Sequence, residues 1–269
     1  MSKPWLLVSP ASRGIGLQLA RHLLKTTDAP VIATARNDLG DTSEQILDGL
    51  DVDKQRFKVL ELDVTDEDTI ARASSHCNQL FPTSTHHLRL AFCIPGILHP
   101  EKSLQQIEYN NALSTFKINA LGPLMLSKHF SGLLPRKSVQ LDPSDNLPPS
   151  AVLALMSARV GSISDNKLGG WYSYRASKAA VNSIAKSVDI YLQQRCGEKG
   201  MCMSLHPGTV KTGLSEDFWG STPKEKLFSV EFSAEKLVNV VNTVGLGGRG
   251  KCWDWEGERD STMNDQGWR

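Results

Sequence analysis

The sequence predicts an α/β fold: a single domain, residues 1–269, built on one doubly wound parallel sheet with helices on both faces. Three observations predict it. Short apolar runs alternate with amphipathic stretches along the chain, the pattern of strand–helix–strand units. The apolar runs are almost continuous rather than alternating, as strands covered on both faces must be. The first run passes through a small-residue turn, Ser9-Pro10-Ala11-Ser12-Arg13-Gly14-Ile15-Gly16, straight into an amphipathic stretch.

Strands are expected at 5–8, 31–35, 57–62, 88–93, 151–156 and 201–205, each a short apolar run. Helices are expected at 14–25, 66–80, about 104–134 and 173–194, where apolar residues recur at helical spacing. Residues 136–150 carry prolines and serines together with Asp142, Asp145 and Asn146, and read as a loop before the fifth strand. There is no internal repeat and no low-complexity block. A chain of 269 residues is long enough for one large core.

Composition narrows the partners. Thirty Lys and Arg face 29 Asp and Glu, giving +1, and no long basic run appears, so neither nucleic acid nor an anionic membrane is an expected partner. No stretch approaches the ~20 apolar residues of a bilayer span. The opening apolar run is too short for a signal peptide, and Gly267-Trp268-Arg269 matches neither a peroxisomal address nor a prenylation box. Five scattered cysteines without CxxC suit reduced thiols. The expected location is the cytosol.

The turn carries the first chemistry. A small-residue turn that opens a helix presents free N–H groups and a positive dipole end to a diphosphate. Gly14 and Gly16 permit close approach. A dinucleotide fold that selects NAD places an acidic residue ~20 residues further on. Here the second strand ends in Arg36, which offers a planar fork to a phosphate, and Arg13 stands in the turn itself. NADP(H) is therefore expected over NAD(H).

Tyr174 and Lys178 carry the second. At i and i+4 they share a helix face. An ammonium fixed beside a phenol favours phenolate and brings its proton into play near neutrality. His86-His87 has no third ligand at metal spacing and reads as a surface loop, with no metal expected. His206 reads as a packing residue, and Asp254, Glu256, Glu258 and Asp260 as a solvated turn.

With turn, arginines and YxxxK in this order, the chain resembles the short-chain dehydrogenase/reductase family over nearly its whole length. The stretches Ser157-Ala158-Arg159-Val160-Gly161-Ser162-Ile163 and Gly169-Gly170-Trp171-Tyr172-Ser173-Tyr174 resemble its sniffer-like and C-factor-like carbonyl reductases. The resemblance implies a Rossmann fold and a cofactor site formed by Ser9, Ser12, Arg13, Gly14, Ile15, Gly16, Arg36, Asp63, Val64, Cys93, Asn119, Tyr174, Lys178, Pro207, Gly208, Val210 and Thr212. In it Asp63 accepts a hydrogen bond from the adenine, and Asn119 bends the long central helix and holds a water linked to the lysine. The segment 207–212 touches the nicotinamide, Val210 and Thr212 binding its carboxamide and phosphate. Relatives pair through the helices corresponding to 104–134 and 173–194, implying a homodimer or homotetramer.

Three positions depart from the family pattern. Pro10 replaces the first glycine of the turn. Cys93-Ile94-Pro95-Gly96 replaces Asn-Asn-Ala-Gly. The substrate-orienting serine falls on Ala158 when aligned from Gly161, or on Ser157 with one extra residue. Ser157 is favoured because it ends a strand, where active-site groups collect; Ser162 is the other hydroxyl nearby.

The expected activity is NADPH-dependent reduction of a ketone or aldehyde. Tyr174 is the general acid, Lys178 lowers its pKa, Ser157 polarises the carbonyl and Asn119 anchors the water path. The substrate, a small carbonyl compound, is expected against 97–100, 167–171 and 214–219, with Trp171, Phe218 and Trp219 suiting a bulky one. Trp253, Trp255 and Trp268 are expected to complete the pocket or pack against a partner subunit. Two other functions fit the same sequence: an NADP(H)-binding sensor without turnover, and an alcohol dehydrogenase running toward oxidation.

Overall fold

The computed structural model describes residues 1–142 and 146–259. β1 (Lys3–Ser9) lies near the middle of a seven-stranded, wholly parallel sheet. β2 (Val31–Ala35) and β3 (Phe57–Glu61) extend it on one side. β4 (His86–Cys93), β5 (Ala151–Met156), β6 (Gly200–His206) and β9 (Cys252–Asp254) extend it on the other. The direction of winding reverses between β1 and β4, so the first and fourth loops part there and leave a crevice. β7 (Thr209–Val210) pairs with β8 (Leu227–Phe228) as a separate short ladder beyond β6.

Strand residues feed the two faces alternately, as the two-residue period requires. Leu6 and Val8 of β1 point into one core layer, with Leu19, Leu23 and Leu24 of α1 (Gly14–Thr26), Ile46 of α2 (Leu39–Leu47), and Leu237 and Val241 of α7 (Val230–Thr243). Trp5 and Leu7 point into the opposite layer. There they meet Ile70 and Ala73 of α3 (Glu67–Leu80), Leu126 and Phe130 of α5 (Gly122–Phe130), and Val181 and Leu192 of α6 (Tyr172–Cys196). Helix starts follow side-chain chemistry where it is local: Asp66 caps α3 through the Asp68 N–H, and Ser229 caps α7 through the Phe232 N–H.

Several expectations change. The helix expected over 104–134 is a chain of pieces. A 3₁₀ turn at Leu104–Gln106 precedes α4 (Tyr109–Phe116), a π turn at Lys117–Leu121 and α5 follow, and a further 3₁₀ turn ends it. The π turn wedges one extra residue into the ladder around Asn119, which re-aims that side chain. α2, α7, β7, β8 and β9 have no counterpart among the elements expected from sequence; α2 is short and mostly polar, and the three strands have only two or three residues each, too few to show a pattern of their own.

His86 and His87 lie in β4, not in a surface loop. His87 is buried, its Nδ1 on Ser2 Oγ and its Nε2 accepting from Arg89 Nε. Arg89, also buried, donates to the main-chain oxygens of Pro148 and Asp142, pinning the 136–150 loop to the sheet. The segment leading into β9 is held to α6 by Arg249, whose Nε lies 3.2 and 3.1 Å from the two oxygens of buried Asp189. Among the described residues no helix is long and apolar enough to cross a membrane, and the five cysteines are all buried and free.

Candidate active site

A cleft of about 1230 Å³ opens at the carboxyl ends of the strands, lined by residues that follow β1, β2, β3, β4, β5 and β6. Its floor is the start of α6. Tyr174 and Lys178, one turn apart on that helix, both line the cleft and are both buried, 8% and 2% exposed. Gly161 permits this: a Cβ there would stand 2.7 Å from the Lys178 carbonyl carbon, so only glycine lets the loop after β5 lie on α6.

The pair does not have the expected arrangement. Lys178 Nζ donates to the Met156 carbonyl at 2.9 Å and sits over the Tyr174 ring, 5.6 Å from its centroid, rather than at the phenolic oxygen. Burial, not the ammonium, sets both groups. It drives the phenol well above its ordinary pKa and pulls the lysine down to about 8. The expected lowering of the Tyr174 pKa by Lys178 is therefore replaced by a phenol that stays protonated beside an ammonium close to neutrality.

Ser157 is also placed differently. Its hydroxyl donates to the Lys178 main-chain oxygen at 3.1 Å and is 1% exposed. The next residue along the cleft wall is Ala158, which presents only a methyl group. Ser162 accepts from the Asp165 N–H and does not line the cleft. Ser157 itself lines the cleft, but its hydroxyl is engaged on the main chain of α6 and ties the end of β5 to that helix.

Asn119 reaches the site through a loop. Its Oδ1 accepts from the Ile97 N–H at 2.8 Å, and its Nδ2 donates to the Ile97 carbonyl at 2.9 Å and to Ser177 Oγ at 3.1 Å. Both amide protons are thus committed within the protein, and the side chain is fully buried and does not line the cleft. It fixes instead the loop after β4 that carries Ile94, Gly96, Ile97, Leu98 and His99 into the cleft.

The turn after β1 is open to the cleft. Arg13 stands at the N-cap of α1 without a side-chain cap, so the first N–H groups of that helix have no side-chain acceptor. Gly16 is required by close approach: a Cβ would lie 2.2 Å from the Pro10 carbonyl. Pro10, joined to Ser9 by a cis peptide bond, lines the cleft without closing it. Ser12, Arg13, Gly14, Ile15, Gly16 and Arg36 line it too. Ser9 does not: its buried hydroxyl accepts from Thr34 Oγ1 at 2.7 Å. Cys93 is likewise wholly buried in the sheet, its thiol pushed up to about 12 by burial.

Asp63 and Val64 follow β3 at the cleft edge. Burial raises the Asp63 carboxyl, but hydrogen bonds from Thr65 N and Oγ1 and the charges of Arg36 and Lys117 outweigh it, leaving it below the ordinary value. Both of those bonds fall on Oδ1. Pro207, Gly208, Val210 and Thr212 close the far end. His206 lines the cleft with its Nδ1 buried and unpartnered among the described residues; burial pulls its pKa to about 4, so it is neutral at pH 7.

Of the segments expected to line a substrate pocket, Ile97, Leu98, His99, Trp171, Leu214, Ser215 and Phe218 do so. Trp171 packs 4.7 Å from Phe218 and edge-on to Tyr174 at 6.2 Å. Trp219 instead donates to Ser215 Oγ. Trp253 donates to the Gly248 carbonyl, and Trp255 packs on Phe228 and Phe232, so neither completes the pocket. Trp268 and Asp260 lie outside the described residues. Carboxylate oxygens of Asp254, Glu256 and Glu258 approach within 4.8 Å, but Asp254 Oδ1 accepts the Glu256 and Glu258 N–H groups, which is the geometry of a turn.

The chain is similar to known proteins over most of its length. The family model described as enoyl-(acyl carrier protein) reductase, of the short-chain dehydrogenase type, matches residues 11–240. The fold superposes on the carbonyl reductase Sniffer of Drosophila melanogaster with a TM-score of 0.79 and 25% identity, covering 96% of this chain and 98% of that one. An NADPH-bound carbonyl reductase from chicken fatty liver gives the same score and identity over 96% and 99%. The C-signal protein of Myxococcus xanthus is 31% identical over 157 residues, 58% of this chain and 81% of its own. A phosphate-ready turn, a tyrosine and lysine one turn apart on the helix after the fifth strand, and a family match over most of the sequence converge: the chain belongs to the short-chain dehydrogenase/reductase family of oxidoreductases.

Proposed function

We propose that the protein, as one NADP(H)-binding domain over 1–269, reduces a ketone or aldehyde with NADPH. The observation that carries this reading is the buried Tyr174–Lys178 pair facing a cleft whose other end presents an uncapped helix N-terminus with Arg13 and Arg36. The residues fit the cofactor. Main-chain N–H groups at the start of α1 would take the diphosphate, Arg13 and Arg36 the 2′-phosphate, and Asp63, through Oδ2, the adenine amine. Pro207–Thr212 would border the nicotinamide. NADPH, when bound, supplies the hydride.

Tyr174 then donates its proton to the carbonyl oxygen as charge develops there, a contribution of ~10²–10⁴-fold. A phenol that burial keeps protonated is suited to this direction of reaction. Lys178 donates one proton to Met156 and would have two others to offer the nicotinamide ribose hydroxyls, while its charge stands over the Tyr174 ring. Asn119 acts by holding the Ile97 loop. The pocket rim of Leu98, Trp171 and Phe218 favours a bulky carbonyl compound. Five buried thiols suit the cytosol. α4 exposes Leu113 and Phe116, and α6 exposes Ile190 and Tyr191 near its far end, apolar side chains that a homodimer or homotetramer would cover.

The test is NADPH consumption with a panel of aldehydes, diketones and quinones beside quenching of tryptophan fluorescence. Consumption supports the reading; quenching without consumption supports a second one, an NADP(H)-binding sensor. The absence of a hydroxyl at 158 favours that second reading. The same absence makes a prediction of gain. Ala158→Ser is expected to raise kcat roughly tenfold or more, since one such donor is worth ~10²–10³ elsewhere. Ser157→Ala should leave kcat near its wild-type value. Steady-state rates with one substrate check both.

The pH profile is a further check. Lys178 is charged below about 8 and loses its proton above it, whereas Tyr174 stays protonated across that range and His206 stays neutral down to about 4. kcat/KM for reduction is therefore expected to be level around neutrality and to fall as pH rises through about 8. A profile level well into the alkaline range would show that the ammonium is dispensable.

A further inference from the structure

We propose that Glu101, in the loop after β4, is a positioning residue that sets the first turn of α6 and so the reach of Tyr174; the proposal rests on the reading of Tyr174 as proton donor. α6 begins without a cap of its own. Its N-cap residue is Trp171, in the left-handed region at φ 50°, and its side chain offers no acceptor to the helix N–H groups. The missing acceptor comes from 72 residues away. Glu101 Oε2 accepts the Ser173 N–H at 2.9 Å, and Oε1 accepts from Ser173 Oγ at 2.5 Å. The Glu101 carbonyl accepts the Trp171 N–H at 2.6 Å.

This carboxylate is 3% exposed. Among the described residues no ion pair reaches it. A charge in such a place is costly unless hydrogen bonds hold it, and here the positive end of α6 and two donors do so. The residue it grips immediately precedes Tyr174 in sequence. On its other side the loop is tied by Asn119 at Ile97, so Leu98 and His99, which line the cleft, are strung between two fixed points. Glu101 therefore sets the distance between the substrate-facing loop and the phenol. A small displacement of a reacting group costs up to ~10²-fold in rate.

The experiment compares full-length wild type, Glu101→Ala, Glu101→Gln and Tyr174→Phe. NADPH affinity is read by tryptophan quenching, kcat and KM with the carbonyl compound of the panel consumed fastest, and amide exchange along α6. Glu101→Ala is expected to leave NADPH affinity and KM within about threefold while kcat falls about tenfold or more. Exchange should quicken about fivefold in the first turn of α6 alone, as for a lost cap. Glu101→Gln keeps an acceptor for the N–H and should recover at least half of kcat. Unchanged kcat with unchanged first-turn exchange overturns the proposal. So does a loss of activity that follows a general rise in exchange, or equal impairment by Ala and Gln. Full activity in Tyr174→Phe overturns the reading of the site instead, and the exchange arm still decides the role of Glu101.

Discussion

Tyr174→Phe is expected to bind NADPH within about twofold of wild type and to turn over ~10²–10⁴-fold more slowly, the worth of a placed general acid. The substitution removes one oxygen and no packing. The ring keeps its contact with Trp171, and Ser177 Oγ still donates to the residue's main-chain oxygen. Lys178 keeps its bond to Met156. Nothing that would hold the nucleotide depends on the hydroxyl, so affinity and rate should separate. Single-turnover oxidation of bound NADPH, followed beside equilibrium quenching, measures the two independently. Retained turnover would remove Tyr174 from the chemistry.

Arg36→Asp is expected to weaken NADPH by about 100-fold or more while changing NADH by only a few-fold. An exposed arginine at the end of β2 loses a charge-assisted hydrogen bond worth ~1.5–3 kcal/mol to a phosphate. The new carboxylate adds repulsion on top, and every ~1.4 kcal/mol is tenfold in affinity. NADH has hydroxyls where NADPH has that phosphate, and a carboxylate can accept from them. Titrating both nucleotides against both proteins gives the ratio directly. Equal weakening of the two would place the phosphate elsewhere in the cleft.

The parts of this molecule that were legible from its residues are those written in local pattern. Continuous apolar runs located six of the seven sheet strands, and i, i+4 spacing put Tyr174 and Lys178 on one face of α6. Arg13, Gly14, Gly16 and Arg36 fall on the cleft as the turn and the end of β2 imply. What was not legible depends on partners remote in sequence. The direction of the Ser157 hydroxyl is set by a carbonyl 21 residues away, and that of the Asn119 amide by Ile97 and Ser177 through a π turn that no residue pattern announces. Ser9 and Cys93 look exposed to a ligand on paper because they end strands, yet the strands' alternation faces them inward. Glu101 could be found only by asking what satisfies the start of α6, since its own surroundings carry no motif. The pKa order of the pair reversed for the same reason: spacing gives proximity, but burial depth belongs to the fold.

The twofold grip of Asn119 on Ile97 has a consequence for how such a protein diversifies. A side-chain amide that gives and takes one hydrogen bond with the same residue imitates a neighbouring peptide group, so the segment leaving β4 runs on as if a phantom strand accompanied it. Just past that point Leu98 and His99 face the cleft on a rigid mount. Substitution at those two positions is thus free to reshape the cleft lining while the loop that carries them stays anchored.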